Sequence, residues 1–406
     1  MDHTPPVALD PFGADIPAET ERLRALGPVV PVTLPGGIPA HAITSYDLLR
    51  RLILDHRVSK DPRQHWTLWP QAISRPEWAW ILSWVGVRNM LNSYASDHTR
   101  LRKLVAPSFT AKRTEQIRPL IEATTTRLLD ALAATPAGEV VDLRAGLAYP
   151  LPMEVICELV GISGALRDDF ADLVARIMDT TLSDEEALKT HTQINTLLAA
   201  VIEHKRAHPG KDLTTELIAV RDTDGDRLST EELTHTLLLT YGAGFETTVH
   251  LITNTIYALL THPKQLQRLR NGDITWDQTI TETLRWAPSI ANLPLRYAAE
   301  DIVAGGVTIP AGSAILTTLA AANRDPERFG PTAHTFRPGR DNAADHLAFG
   351  IGVHRCPGAP LAQLEAGHAL PALFDRFPHM RLAPHRLHHV PSFIAHGWAT
   401  IPVTLT

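Results

Sequence analysis

The sequence predicts a mainly α-helical fold with small β-sheets, in a single large domain spanning residues 1–406. Three observations carry this. Apolar residues recur at helical spacing over Ile117 to Leu132, Leu151 to Val160, Leu166 to Met178 and His191 to Arg206, with breaks at Pro136-Ala-Gly138, Gly161-Ile-Ser-Gly164 and His208-Pro-Gly210. Ser229 with Glu232 three residues later forms a capping-box pattern, and the helix it opens can run to Thr261, before His262-Pro263. At 1.5 Å per residue that helix is roughly 45–50 Å long, enough to cross a domain. Strand-like stretches are short: Val29 to Leu34 and Ile38 to Ile43 flank Pro35-Gly36-Gly37 as a hairpin, and Asp301 to Thr318 is broken by glycine turns. No repeat, low-complexity segment or linker divides the chain, and only residues 1–10, polar and proline-containing, read as flexible.

With 44% hydrophobic residues in 406, there is material for a large core. A net charge of −6 argues against a nucleic-acid or generally anionic partner. No apolar run of membrane-spanning length occurs at either end, so the expectation is a soluble, cytoplasmic monomer without a membrane partner. Two cysteines far apart do not suggest a disulfide framework. Cys157, in Met153-Glu-Val-Ile-Cys-Glu-Leu-Val160, reads as a core residue, and the group His385, His388, His389 as solvated loop.

Taken in order, Ser45 to Leu54 reads as a helix. Residues 60–90 are irregular and hold Trp66, Trp69, Trp78, Trp80 and Trp84, five of the eight tryptophans. Core filling and a loop-rich wall over an apolar ligand are equally compatible with them. His98 and Arg102 share a helical face at i, i+4. Asp222-Thr-Asp-Gly-Asp226 lacks the full ladder of a calcium loop and reads as a turn. The middle of the long helix is Gly242-Ala-Gly-Phe-Glu-Thr-Thr248, where two glycines and a polar run break the rules of a packed helix together, which points to function. The alternative is a close helix–helix contact at the glycines, with Thr247 bonding back to a carbonyl one turn earlier. Glu282 and Arg285 sit at i, i+3 in the helical stretch Trp276 to Trp286.

Near the C-terminus, Phe349 to Gly358 reads F-G-I-G-V-H-R-C-P-G and is followed at once by a helical pattern, Leu361 to Phe374. A helix N-terminus favours a thiolate, glycines let backbone approach a flat ligand, and His354 and Arg355 add donors. A buried cap cysteine is the plain alternative. The spacing favours an axial thiolate for haem iron at Cys356, the ligation that promotes O–O cleavage.

The stretch resembles the haem-binding signature F-x-x-G-x-x-x-C-x-G of the cytochrome P450 superfamily in its soluble bacterial form. The resemblance extends from about residue 10 to the C-terminus and implies the P450 fold around a long central I helix. It implies haem b, with contacts from Phe349, Gly350 and Gly358 of the cysteine loop and from Ala243 and Gly244 of the I helix. Ala243-Gly-Phe-Glu-Thr247 matches the oxygen-site pattern A/G-G-x-D/E-T. Thr247 would orient water and Glu246 would relay protons, while Gly244 would leave room for oxygen and substrate. His98 and Arg102 would hold one haem propionate, and Arg296 with His354 the other. Glu282, Arg285 and Arg340, with Arg337 the runner-up for the last place, would brace the cysteine loop. Ser96-Asp97 departs from a common Pro-Glu pair and touches nothing central.

The implied reaction is oxidation of a hydrophobic small molecule with O2 and external electrons. No G-x-G-x-x-G fingerprint follows a strand, so electrons would come from a separate ferredoxin and its NAD(P)H-dependent reductase. Arg100, Lys103, Lys112, Arg113 and Arg355 are candidates for the docking surface. Substrate-facing candidates are Trp66, Trp84 and Gly86 in the aromatic region and Leu238 and Ala243 in the long helix. Ile290, Leu293, Ile394 and Trp398 complete the set. Steroids, macrolides and other secondary metabolites fit equally. So does an aromatic or indole-bearing cyclic dipeptide, for which radical coupling into a C–C or C–N bond is the alternative to C–H hydroxylation. A peroxide-driven peroxygenase would not need the Glu–Thr pair, and a non-catalytic haem carrier would need neither that pair nor an open pocket.

Overall fold

The central helix, Thr230–Thr261, is the element around which the other helices gather. Its Ser229 and Glu232 close a reciprocal capping box, satisfying N–H groups that a helix start leaves open. Against it pack the helices Pro150–Val160, Asp184–Ala207, Trp276–Trp286 and Ala359–Arg376. They bury one continuous apolar cluster that includes Ile156, Leu237, Phe245, Val249, Ile252 and Leu370. Residues 5–162, 166–221 and 225–405 are described by this computed structural model. Part of the expected break at 161–164 and most of the expected turn at 222–226 lie outside them.

The helices foreseen from periodicity are present, as Ala111–Ala133, Pro150–Val160, Leu166–Met178 and Asp184–Ala207. Gly161, at φ 83°, ends the second of these in a left-handed conformation that a side chain would strain. Cys157 is fully buried, with its sulfur 3.6 Å from the Tyr241 hydroxyl.

A six-stranded sheet forms the second part of the fold. Val29–Leu34 and Ile38–Ile43 pair antiparallel. Ala314–Thr318 joins Ile38–Ile43 in parallel, followed by antiparallel Asn292–Ala298 and Val58–Ser59. Val7–Ala8 adds a parallel edge strand beside Val32 and Thr33. The flexible N-terminus expected over residues 1–10 is therefore corrected at residues 7–8, which gain ladder hydrogen bonds; residues 1–4 lie outside the described residues.

The aromatic region folds into short helical turns over the sheet. Trp66 stacks on Trp78 with centroids 5.9 Å apart and also meets Tyr297 at 5.6 Å. The indole N–H groups of Trp78 and Trp80 donate to the carbonyls of Gly36 and Pro35, so this region is tied to the hairpin turn. Its far end is tied to the central helix: the Arg88 N–H donates to His235 Nδ1 at 2.9 Å, and Asn89 Nδ2 to the His235 carbonyl.

Candidate functional site

The cysteine loop is shaped by two left-handed glycines, Gly350 at φ 65° and Gly352 at φ 69°. They fold it back so that the Cys356 N–H donates to the Phe349 carbonyl at 2.8 Å. The N–H groups of Gly358 and Ala359, at the start of the helix Ala359–Arg376, donate to the sulfur. Cys356 is accessible, yet burial is the largest influence on its thiol and pushes its pKa up. The two N–H groups, Arg102 and Arg355 act in the opposite direction, and a coordinated metal would complete the deprotonation. Gly358 has an ordinary φ of −82°, and a Cβ there would lie 3.9 Å from the sulfur, so position 358 sits beside it without strain.

Four nitrogen-bearing residues converge near this loop. His98, on the helix Ala95–Val105, packs its ring 4.2 Å from that of His354. His98 Nε2 is buried with no hydrogen-bond partner, and so is Arg296 Nε. Arg102, one turn after His98, donates to the Arg355 carbonyl at 3.1 Å. Burial first, then the positive charges of Arg296 and others, hold His354 neutral, with its pKa far below the usual range. Unpartnered buried donors cost free energy unless an acceptor fills the space. A flat group bearing two carboxylates, with iron at the sulfur, satisfies all of them, so these residues fit haem.

On the central helix, Ala243 is exposed and Thr247 half-buried although their neighbours Tyr241, Phe245 and Val249 are fully buried. At i, i+4 the two share a face that opens on a recess. Thr247 Oγ1 donates to the Ala243 carbonyl at 2.7 Å, the back-bond expected of a mid-helix threonine. Glu246 points the other way and is buried, with Oε1 2.5 Å from Arg144 Nη2 and 3.7 Å from His250 Nε2. Glu246 Oε2 and both ring nitrogens of His250 have no hydrogen-bond partner among the described residues. Burial raises the Glu246 pKa, and Arg144 limits the rise. At Gly244 the structure fits the helix–helix alternative. A Cβ there would come within 2.9 Å of Ile156 Cδ1, so this glycine serves the contact with the helix Pro150–Val160.

Behind the loop, Glu282 and Arg285 form a bidentate pair at 2.7 and 2.8 Å, both fully buried. Arg340 Nε lies 3.5 Å from Glu282 Oε1, whereas Arg337 approaches that oxygen through its backbone N–H at 2.8 Å. The link onward runs through Asn323, which sequence reasoning did not single out. Its carbonyl accepts from Arg285 Nη1 at 2.8 Å, and its Oδ1 accepts from the Leu347 N–H at 2.7 Å. Leu347 in turn accepts from the Gly350 N–H at 2.8 Å. Asn323 lies in Ala322-Asn-Arg-Asp-Pro326, a signal present in the sequence, whereas Arg144 had none, lying far from Glu246 along the chain.

The profile of the family Cytochrome P450 matches residues 27–272 and 275–386. The chain belongs to the cytochrome P450 family. It is 39% identical over 402 residues to the 2-hydroxy-5-methyl-1-naphthoate 7-hydroxylase of Streptomyces carzinostaticus, covering 98% of this chain and 97% of that protein. It is also 39% identical over 394 residues to the 6-deoxyerythronolide B hydroxylase of Saccharopolyspora erythraea, covering 94% and 93%. Among solved structures it resembles CYP154A1 from Streptomyces coelicolor A3(2), with a TM-score of 0.93, 45% identity and coverage of 98% and 100%. The chain is thus a P450 monooxygenase, an oxidoreductase whose family carries thiolate-ligated haem iron and uses O2 and an electron donor. No helix of the described residues is long and apolar enough to cross a membrane.

The substrate-facing candidates scatter within this P450. Trp66 and Ile394 are buried in one apolar cluster with Trp80 and Tyr297, against which Trp84 and Ile290 are partly buried. Trp66 is committed to ring stacking in that core. The ring of Trp398 lies 4.1 Å from that of Tyr257 and 4.0 Å from that of His389. Tyr257 is ten residues beyond Thr247, about 15 Å along the helix. Leu238 is buried in the helical cluster, Leu293 is half-buried at the edge of another, and Gly86 caps the helix Ala79–Val85. Ala243 alone shares the accessible face of Thr247.

Proposed function

We propose that this P450 hydroxylates a C–H bond of a hydrophobic small molecule, using O2 and electrons from a ferredoxin and its NAD(P)H-dependent reductase. The observation that carries the reading is the split between Thr247, open on the recess, and Glu246, buried behind it against Arg144. Bound haem b supplies the iron at which dioxygen is reduced and the substrate oxidised. The chain's part is to hold the group and to deliver protons. Cys356 ligates the iron; His98 and Arg102 take one carboxylate, and Arg296 with His354 the other. The Thr247 hydroxyl, anchored to the Ala243 carbonyl, presents its oxygen to a water in the recess. Burial raises the Glu246 pKa and so favours uptake of a proton, which this carboxyl can pass forward. Glu282, Arg285, Arg340 and Asn323 hold the cysteine loop.

Three of the tryptophans that favoured an aromatic substrate are engaged in Trp66–Trp78 stacking and in the Tyr257–Trp398–His389 stack. That weakens the case for radical coupling and favours hydroxylation. The two hydroxylases reported above, named for a naphthoate and for 6-deoxyerythronolide B, support a secondary metabolite as substrate.

The ferredoxin would meet the face beside the cysteine loop. Of the cations considered from sequence, Arg100 is paired with Asp226 and Glu232, and Arg113 with Glu216, so their charge is offset. Arg355 and Lys112 are exposed and stay candidates. Leu54 and Val353, 51% and 67% exposed, add an apolar centre, because the loop at Gly352 abuts Leu54. Arg50 and Arg51 line a shallow cavity of about 630 Å³ next to Leu54.

The test has two parts. The reduced, CO-bound protein should show the red-shifted thiolate Soret band. A ligand that displaces the distal water should then support NADH-dependent formation of a product heavier by one oxygen atom, with surrogate ferredoxin and reductase. Absence of the band, or turnover sustained by hydrogen peroxide without reductant at the same rate, would overturn the reading.

A further inference from the structure

Lys60 is 1% exposed, which is rare for an unpaired lysine. Its one hydrogen bond is a long one, 3.5 Å from Nζ to the Pro294 carbonyl. The strand Val58–Ser59 pairs antiparallel with Asn292–Ala298, with Val58 opposite Ala298 and Ser59 opposite Tyr297. Continuing that register by one residue places Lys60 opposite Arg296. Residues directly opposite in an antiparallel pair share a face and sit roughly 5 Å apart at Cβ, where like charges repel. Arg296 is buried too, and its Nε has no partner. Among the described residues neither cation makes an ion pair. The same two charges act on His354, whose ring meets His98, so all four groups belong to one neighbourhood. Burial, and then Arg296, lower the Lys60 pKa, so the two groups can both stay charged here only when an anion joins them.

We propose that Lys60 is a haem-carboxylate ligand of this P450, its ammonium sharing with Arg296 and His354 the propionate on that side. This rests on the haem seat proposed above and adds to it a cation from the strand that precedes the aromatic region. Lys60 thereby couples the entry of that region, at Asp61-Pro62, to the cofactor. The group also makes sense of the long bond to Pro294, since an ammonium has three donors and the carbonyl takes only one.

The test uses the haem-loaded enzyme and the variants K60M, close in size without charge, and K60R, which keeps the charge. Haem transfer to excess apomyoglobin is followed by absorbance, and the ferric–ferrous midpoint potential by spectroelectrochemistry. A charge-assisted hydrogen bond predicts that K60M loses haem roughly tenfold faster or more than wild type. Its midpoint should move to more negative potential as a positive charge near the cofactor disappears, while K60R should stay close to wild type in both. Unchanged haem loss and midpoint in K60M would overturn the proposal. So would K60R behaving like K60M, because shape rather than charge would then be what Lys60 supplies. A wild-type protein without the thiolate band would instead overturn the haem seat itself, before any variant is compared.

Discussion

Glu246 and Arg144 form a 2.5 Å ion pair between the central helix and the turn Arg144–Ala148. Arg144 lowers the pKa of a carboxyl that burial raises. The position of the proton on Glu246 thus depends on a residue outside the helix. In the variant R144M, burial acts unopposed and the Glu246 pKa rises further. The limb of the kcat–pH profile belonging to this group should move to higher pH. Replacement by E246Q should remove that limb and lower kcat by roughly 100-fold, the order of a lost acid–base group. A pH profile of R144M superimposable on wild type would show that the pair plays no part in proton delivery.

Thr247 is expected to control how reducing equivalents are used rather than whether they are consumed. T247A removes the hydroxyl that faces the recess, while Cys356 and the groups around His98 are untouched. NADH oxidation should continue with product per NADH falling several-fold and hydrogen peroxide rising to match. Quantifying product, peroxide and NADH in one reaction checks this; tight coupling in T247A would contradict the assigned role.

The buried Glu282–Arg285 pair makes a different prediction. Removing Glu282 leaves a fully buried guanidinium without its carboxylate, which costs about 3–5 kcal/mol. E282A should therefore fail to yield folded, haem-loaded protein. N323A keeps the pair and cuts only the hydrogen bond to the Leu347 N–H. It should fold, losing about 1 kcal/mol or somewhat more, with a larger share of its thiolate Soret band converted to the form without thiolate on standing. Equal outcomes for E282A and N323A would deny the order of the linkage from pair to loop.

Stability should fall with acid for a reason that lies in buried histidines. Burial first of all lowers the His250 pKa to about 3 and the His235 pKa to about 4. Above the ordinary value of about 6.5 neither state is protonated and the histidines contribute nothing to the pH dependence. As pH falls below 6.5 the unfolded chain takes up protons that the folded chain refuses, so unfolding gains until each folded-state pKa is passed. The melting temperature of the haem-loaded protein should therefore decline from pH 6.5 towards pH 4. H250Q should flatten part of that slope, and an unchanged slope would mean that His250 is not held neutral.

Gly397 meets the same histidine from the C-terminal segment, where a Cβ would lie 2.0 Å from His250 Nδ1. G397A should destabilise by about 1–3 kcal/mol, as expected for overpacking in a closed core. The double variant G397A/H250A should recover much of that loss in a denaturation experiment. Additive losses would show that the two positions are not in contact.

Much of this protein was legible as one-dimensional pattern. Helices with apolar residues at regular spacing, the hairpin around Pro35-Gly36-Gly37 and the capping box Ser229–Glu232 depend on neighbours within a few residues. They therefore formed where local sequence placed them. The cysteine loop was legible for the same reason, since Gly350, Gly352 and Cys356 act within one short turn. The back-bond of Thr247 was legible too, because a threonine bonded to residue i−4 needs only its own helix.

Other features depended on which surfaces meet. Gly244 serves the contact with Ile156, and helix spacing cannot distinguish that from clearance at the site. Trp66 stacks on Trp78, and Trp398 on Tyr257 and His389, because burial of aromatic area is decided by the packing of whole elements rather than by local composition. Arg144 reaches Glu246 and Asn323 reaches Leu347 only once distant segments are side by side. Local spacing in the sequence determined the elements and marked the candidates for iron ligation and proton handling. The tertiary structure decided which buried charges compensate one another, since that balance is struck between side chains brought together from different parts of the chain.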